Sequence, residues 1–305
     1  MTKFSPHVAS RLFDVPLMVD ARKAAAIVGG LGGRFAPGGM TLDGVDPVQH
    51  VAFANGRPSM GVIGDELRDM KDDYGRPIAR LFVRDGVAII PVEGTLVHKG
   101  AFVGQSMSGD TSYEGLQTLI RMAHADSIKA VAFEIDTFGG EVAGVFDTAD
   151  MIFDLSHQKP TLAILTDNAF SAGYLLGAAC RQIIMPATGG AGSIGVIAMH
   201  VDWSKALDEE GIKVTLLTAG EHKADGNPFE KLPVDVAARI RGQLAATRDL
   251  FAEKVGHYRG ERFTKDDALG TEAQTYYGQE AADVGLVDLI GRPSEMFDRF
   301  VSLNH

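Results

Sequence analysis

From Leu81 onward the chain alternates between short, continuous apolar runs and longer stretches in which apolar residues recur every three to four positions. The runs "VAIIPV" (87–92), "KAVAFEID" (129–136), "TLAILTD" (161–167), "QIIMPA" (182–187), "IGVIAMHV" (194–201) and "KVTLLTA" (213–219) are rich in β-branched residues and predict strands. Between them the spacing predicts helices over 112–125, 141–156, 171–180 and 203–211, then a long amphipathic helix over 233–259. Pro233 near its first turn and Gly260 just past its end are the expected punctuation. Continuous apolar strands separated by helices predict an α/β fold with a largely parallel sheet covered on both faces.

Residues 1–80 read differently. One helical stretch (Ala21 to Leu31) is followed by glycine- and proline-punctuated sequence such as "GGRFAPGGMTLDGVDP" (32–47), so 1–80 is expected to be an N-terminal extension and 81–305 the main domain. "GGLGG" (29–33) lacks the Gly-Lys-Ser/Thr and the preceding strand of a phosphate loop and reads as a flexible helix end. There are no internal repeats or low-complexity tracts.

Composition narrows the function classes. At 305 residues with 45% hydrophobic content the chain can bury a sizeable core. A formal net charge of −11, from 40 acidic and 29 basic residues, offers no general attraction to phosphate backbones or anionic lipid, so neither nucleic acid nor a membrane surface is an expected partner. The single cysteine, Cys180, rules out an intramolecular disulfide, fits a reducing compartment and lies in an apolar setting that assigns it no catalytic role. No run approaches a membrane span, and the N-terminus is too interrupted by polar residues and prolines for a signal peptide, so a cytoplasmic location is expected.

In open α/β folds ligands sit beyond the carboxyl ends of strands, which directs attention to four junctions. "EIDTFGGEVAG" (134–144) runs a strand into Gly139-Gly140, either an ordinary glycine turn or a place where backbone amides aim at a developing oxyanion. Ser171 lies where an apolar strand meets a small-residue helix; such a serine is ordinarily a cap, yet the same position suits a nucleophile with the Ala172 amide as oxyanion donor. The G-x-S-x-G elbow of α/β-hydrolases is not met, because Ala169 replaces its first glycine. Ser193 bends the turn of "GGAGSIGVIAMH" (189–200), and "TAGEHKADGNPFEKLP" (218–233) presents His222 and Lys223 in a loop of turn formers, where a surface lysine is the ordinary reading.

A serine nucleophile needs a base. Nine histidines include His200 and His222 at the ends of strand-like segments, but no carboxylate is firmly nominated to orient either imidazole. A lysine serves if kept neutral: an ordinary amine is deprotonated in only about one molecule in 2,500 at pH 7, and bringing its pKa near 7 takes about 4 kcal/mol of differential desolvation. That environment needs an apolar shell and a hydroxyl to orient the amine, and Ser193 is of the right kind.

Taken together, "DTFGG", "FSAGY", "GSIGV" and "HKADGNPF", in this order, resemble the signal peptide peptidase A family of Ser–Lys peptidases, in particular its phage branch of head-maturation proteases of the minor capsid protein C kind. The likeness extends into "PHVASRLFDVPLM" (6–18). It implies Ser171 as nucleophile, Lys223 as general base, Ser193 as the lysine-orienting hydroxyl, and an oxyanion hole from Gly139, Gly140 and Ala172. It also implies a ClpP/crotonase-like fold of repeated β-β-α units, no metal or organic cofactor, and a homo-oligomer, to which the 233–259 helix and "GQEAADVGLVD" (278–288) could contribute. The family commonly has proline before the paired glycines, where this chain has Phe138, and its membrane-bound members carry an anchor not seen here.

The resemblance implies a serine endopeptidase acting through an acyl-enzyme in the host cytoplasm within assembling proheads, with scaffold and other capsid proteins as substrates and its own chain as a further one. Extended peptide is expected along strand edges near 194–200 or 92–97. Two rivals are an assembly component without activity and a crotonase-type acyl-CoA enzyme. The latter chemistry relies on paired carboxylates, and the sequence nominates none.

Overall fold

The computed structural model describes residues 16–20, 66–71, 77–99 and 110–304. In chain order, strands β1 (Leu17–Val19), β2 (Glu66–Lys71), β3 (Pro77–Arg84), β4 (Val87–Val97) and β5 (Asp110–Ser112) lead into helix α1 (Tyr113–Ala123). Then follow β6 (Ala130–Glu141), α2 (Val145–Gln158), β7 (Thr161–Phe170), α3 (Ala172–Ala178), β8 (Gln182–Met185), β9 (Gly190–Gly192) and α4 (Ser204–Glu209). The chain continues with α5 (Val234–Arg259), α6 (Lys265–Gly270), β10 (Thr275–Tyr277), α7 (Gly278–Asp283), β11 (Leu289–Ile290) and α8 (Pro293–Asn304).

The strands form one mixed sheet. Its main path runs β10-β9-β7-β6-β4-β3-β2, with β4, β6, β7 and β9 parallel and the β2-β3-β4 end antiparallel. The α/β class expected from the alternation of strand and helix signals is the one observed, and the β-β-α order of a ClpP/crotonase-like unit occurs at β4-β5-α1 and β8-β9-α4. β3 crosses the position expected to divide extension from domain.

The continuous apolar runs have a direct cause. In β4, Ala88, Ile90 and Val92 enter a large core beneath α1, α2, α3 and the C-terminal half of α5, whereas Val87 and Ile89 face a smaller core sealed by Phe297 and Val301 of α8. With both faces buried, period-2 alternation disappears. The large core contains the fully buried Tyr113, Phe133, Tyr174, Phe251 and Phe263, each side chain of this size contributing about 2 kcal/mol or more by leaving water.

α5 starts after Pro233 and ends at Gly260, whose φ of 59° ends the helix as its residue type allows. Two expected strands are corrected. Residues 194–201 contain only one bridge, Ile197 to Leu17, and residues 213–219 form no strand at all; both lack a neighbouring strand along their length to take their backbone hydrogen bonds. In the second, apolar side chains face solvent, Leu217 being 93% exposed. The helix expected at 21–31 lies outside the described residues.

Candidate functional site

At the carboxyl end of β7 the chain must turn within one residue to enter α3, and Ser171 makes that turn with φ 54° and ψ −118°. A non-glycine residue there carries strain of roughly 1–3 kcal/mol that surrounding structure must hold. The backbone supplies the hold: the Ser171 amide donates to Gly192 O at 2.9 Å, and its carbonyl accepts from the Leu175 amide at 3.1 Å. Gly173 lets α3 press on β6, since a Cβ there would lie 2.3 Å from Thr137 Cγ2.

Ser171 is fully buried and makes no side-chain capping bond; its hydroxyl instead donates to Gly195 O at 3.3 Å. The ordinary explanation of a serine before a helix therefore does not hold here. The turn that receives the hydroxyl is also strained. Gly192 has φ 110° and Ser193 φ 55°, the Ser193 amide donates to Gln274 O at 2.8 Å, and the Gly195 amide donates to Ser193 O at 2.8 Å. Arg248 of α5 props this turn from behind, its Nε donating to Ile194 O at 3.4 Å and its guanidinium also reaching Leu269 O at 2.7 Å.

β6 brings the paired glycines alongside. A Cβ on Gly139 would lie 3.1 Å from Ser171 Cβ and 2.1 Å from Met18 O, and one on Gly140 would lie 1.9 Å from Leu96 O. Only glycine permits these approaches. The Gly139 amide donates to Thr137 Oγ1 at 3.0 Å, and that hydroxyl donates to Gly94 O at 2.5 Å. Thr137 thus fixes the glycine turn, a role visible in the sequence only as the second residue of "DTFGG". Phe138 packs edge-on against Phe170 at 5.5 Å, so the residue that stands in the place of the family's proline is itself buttressed.

The structure brings together Ser171, Ala172, Ser193, Gly139 and Gly140. Lys223 is placed elsewhere in character: it is exposed, in a turn where its amide donates to Gly220 O at 3.2 Å. His222 beside it pairs through Nδ1 with Asp225 at 3.1 Å. The other histidine considered as a base, His200, is half-buried.

Three carboxylates missed by sequence reasoning lie at the same end of the sheet. Glu93 is opposite Asp136 in the β4–β6 register, with Glu134 two residues before it. Burial first, then the charges of Glu134 and Asp136, raise the Glu93 carboxyl to about 7. Their signal was faint, because Glu93 stands alone in the apolar β4 and only the fold sets it opposite Asp136 of β6, two residues from Glu134. Cys180 is buried, and burial pushes its thiol well above the usual range, in keeping with an inert core residue.

Residues 154–303 match peptidase family S49. This half of the chain is thus similar to peptidase family S49. The S49 match includes Ser171, Ser193 and Lys223, and the glycine turn lies just before it. The chain is 36% identical over 287 residues to head-tail preconnector protein GP5 of Enterobacteria phage P21, covering 92% of this chain and 54% of that protein. It is also 36% identical over 286 residues to capsid assembly protease C of Escherichia phage lambda, covering 93% of this chain and 62% of that protein. The chain therefore spans between half and two thirds of the length of these relatives. Among solved structures it is similar to the 1510-N membrane protease specific for a stomatin homolog from Pyrococcus horikoshii, 14% identical, covering 70% of this chain and 77% of that one, with a TM-score of 0.41. Among the described residues, no helix is long and apolar enough to cross a membrane.

Proposed function

We propose that this chain is a serine endopeptidase of phage head assembly, working through a Ser171–Lys223 dyad on scaffold and other capsid proteins. The observation that carries the reading is Ser171 itself: a serine within the stretch that matches family S49, held at φ 54° beside a glycine turn, with its hydroxyl not used as a helix cap.

In this reading Ser171 Oγ attacks the substrate carbonyl, the Lys223 amine accepts the serine proton and passes it to the leaving amine, and the same lysine later activates the deacylating water. The developing oxyanion takes hydrogen bonds from the Ala172 and Gly140 amides, joined by that of Gly139 once it leaves the Thr137 hydroxyl. Ser193 orients the lysine.

Lys223 needs an apolar surrounding that one copy of the chain does not give it. The neighbouring stretch carries Ile212, Leu216 and Leu217 in solvent, so one event, packing of this strip against a second copy, both covers the apolar side chains and desolvates the amine. The working form is therefore proposed to be a homo-oligomer.

The test compares the unaltered chain with Ser171→Ala and Lys223→Ala, by covalent labelling with a serine-directed fluorophosphonate and by processing of a co-expressed scaffold protein. Both readouts are expected to vanish in the serine variant, and processing in the lysine variant. Processing that continues unchanged in either refutes the dyad.

A further inference from the structure

Residues Pro16–Asp20 come from far upstream of the sheet, yet they lie across the site. On one side, Leu17, Met18 and Val19 pair antiparallel with Glu141, Gly140 and Gly139, and the Asp20 amide donates to Phe138 O at 2.9 Å. On the other, the Leu17 amide donates to Ile197 O at 2.7 Å and the Ile197 amide to Leu17 O at 2.9 Å. This three-residue strand is thus clamped between the oxyanion turn and the segment that follows the Ser193 bend.

Its side chains alternate as a bound peptide's would. Met18 is fully buried in the main core cluster, whereas Leu17 and Val19 point the other way and pack with Ile197 and Met199. Its backbone reaches the chemistry: Met18 C and Ser171 Cβ each lie 3.1 Å from the point where a Gly139 side chain would begin. Ser171 is buried with the strand in place, so no second peptide can approach its hydroxyl along this groove.

We propose that Leu17–Val19 is an internal occupant of the substrate groove, which holds the peptidase in a closed state and shows what the groove accepts. The acceptor is a two-sided β-pairing site for an extended peptide. It takes a long apolar residue at the position of Met18 and apolar residues on either side of it. The proposal rests on the serine-endopeptidase reading for its consequence, and its test is built on binding so that the two can fail separately.

The binding test uses the full-length chain carrying Ser171→Ala and a fluorescein-labelled peptide of sequence FDVPLMVDAR, which is residues 13–22 of the chain. Met18→Asp places a charge in the buried pocket and expels the strand. Fluorescence anisotropy is expected to show roughly tenfold tighter peptide binding than in the Met18 chain, because the groove no longer has to be vacated first. Equal binding by two folded chains overturns the proposal.

A second variant decides the matter if Met18→Asp does not fold. Leu17 and Ile197 form a hydrogen-bonded antiparallel pair, whose Cα separation of about 5.5 Å suits a disulfide, and buried Cys180 does not compete. With Leu17→Cys and Ile197→Cys on the Ser171 chain, oxidation is expected to stop fluorophosphonate labelling and a thiol reductant to restore it. Labelling at one rate in both states overturns the proposal. Serine-dependent processing with no gain in binding and no effect of the lock sinks the occupant alone. A gain in binding in a chain that never processes protein sinks the peptidase reading alone.

Discussion

The Ser171 amide donates to Gly192 O at 2.9 Å, and the Ser171 hydroxyl donates to Gly195 O at 3.3 Å, so one residue is tied twice to the turn that holds Ser193. The tie keeps a serine in a backbone region that suits glycine. It explains how a strained position and a candidate nucleophile coincide.

That strain is measurable. Ser171→Gly is expected to stabilise the chain by about 1 kcal/mol, since glycine reaches φ 54° without steric penalty, while labelling by a serine-directed probe disappears. Urea denaturation and intact-mass spectrometry check the two halves. A loss of stability would show that the hydroxyl bond to Gly195 outweighs the backbone strain.

Leu217→Asp tests the proposed packing of a second copy against the strip beside Lys223. The side chain is 93% exposed in one copy, so the fold is expected to survive with a change in stability within about 0.5 kcal/mol. Light scattering should show the oligomer lost or weakened, and processing should fall with it. An unchanged oligomer with unchanged processing would place the interface elsewhere.

Glu93 should make stability depend on pH. Its carboxyl is raised to about 7 in the folded chain against an ordinary value of 4.5, so between these values the folded state keeps a proton that the unfolded chain has released. Stability therefore falls as pH rises from 4.5 to 7 and levels off above. Glu93→Gln should remove this slope and add about 1–2 kcal/mol at pH 8, a figure reduced for the part exposure of the group. Urea midpoints at pH 5 and pH 8 in both chains give the comparison.

Asp288 holds the far side of the core. Both oxygens accept from Arg259, at 2.9 and 2.8 Å, and the arginine side chain is 1% exposed. Burial alone would raise the Asp288 carboxyl, but the Arg259 bonds and charge, then the Ile183 amide and Arg262, outweigh it and hold the group below the usual range. Asp288→Asn leaves a buried guanidinium without its counter-charge and should destabilise by about 3–5 kcal/mol in urea denaturation.

Local pattern carried much of the fold. β4, β6, β7 and β8 were legible because a strand buried on both faces must be apolar along its length, and the ends of α5 were legible because Pro233 and Gly260 act within one turn. The residues around Ser171 were legible as motifs, since strand-to-helix junctions with small residues are short in sequence. The runs at 194–201 and 213–219 had the same composition as true strands and failed as strands, because pairing is a property of two segments and no periodicity reveals an absent partner.

By itself, then, the amino-acid order determined the sheet's central strands, the covering helices and the identity of the serine worth testing. Only the tertiary structure decided that Ser171 is strained and uncapped, that Glu93 meets Glu134 and Asp136, that Lys223 lies in solvent in a single copy, and that Leu17–Val19 pairs with Gly139–Glu141. The reason is range. Propensity and amphipathic period act within a few residues, whereas strain, charge crowding and strand pairing arise between segments that only the folded chain brings together.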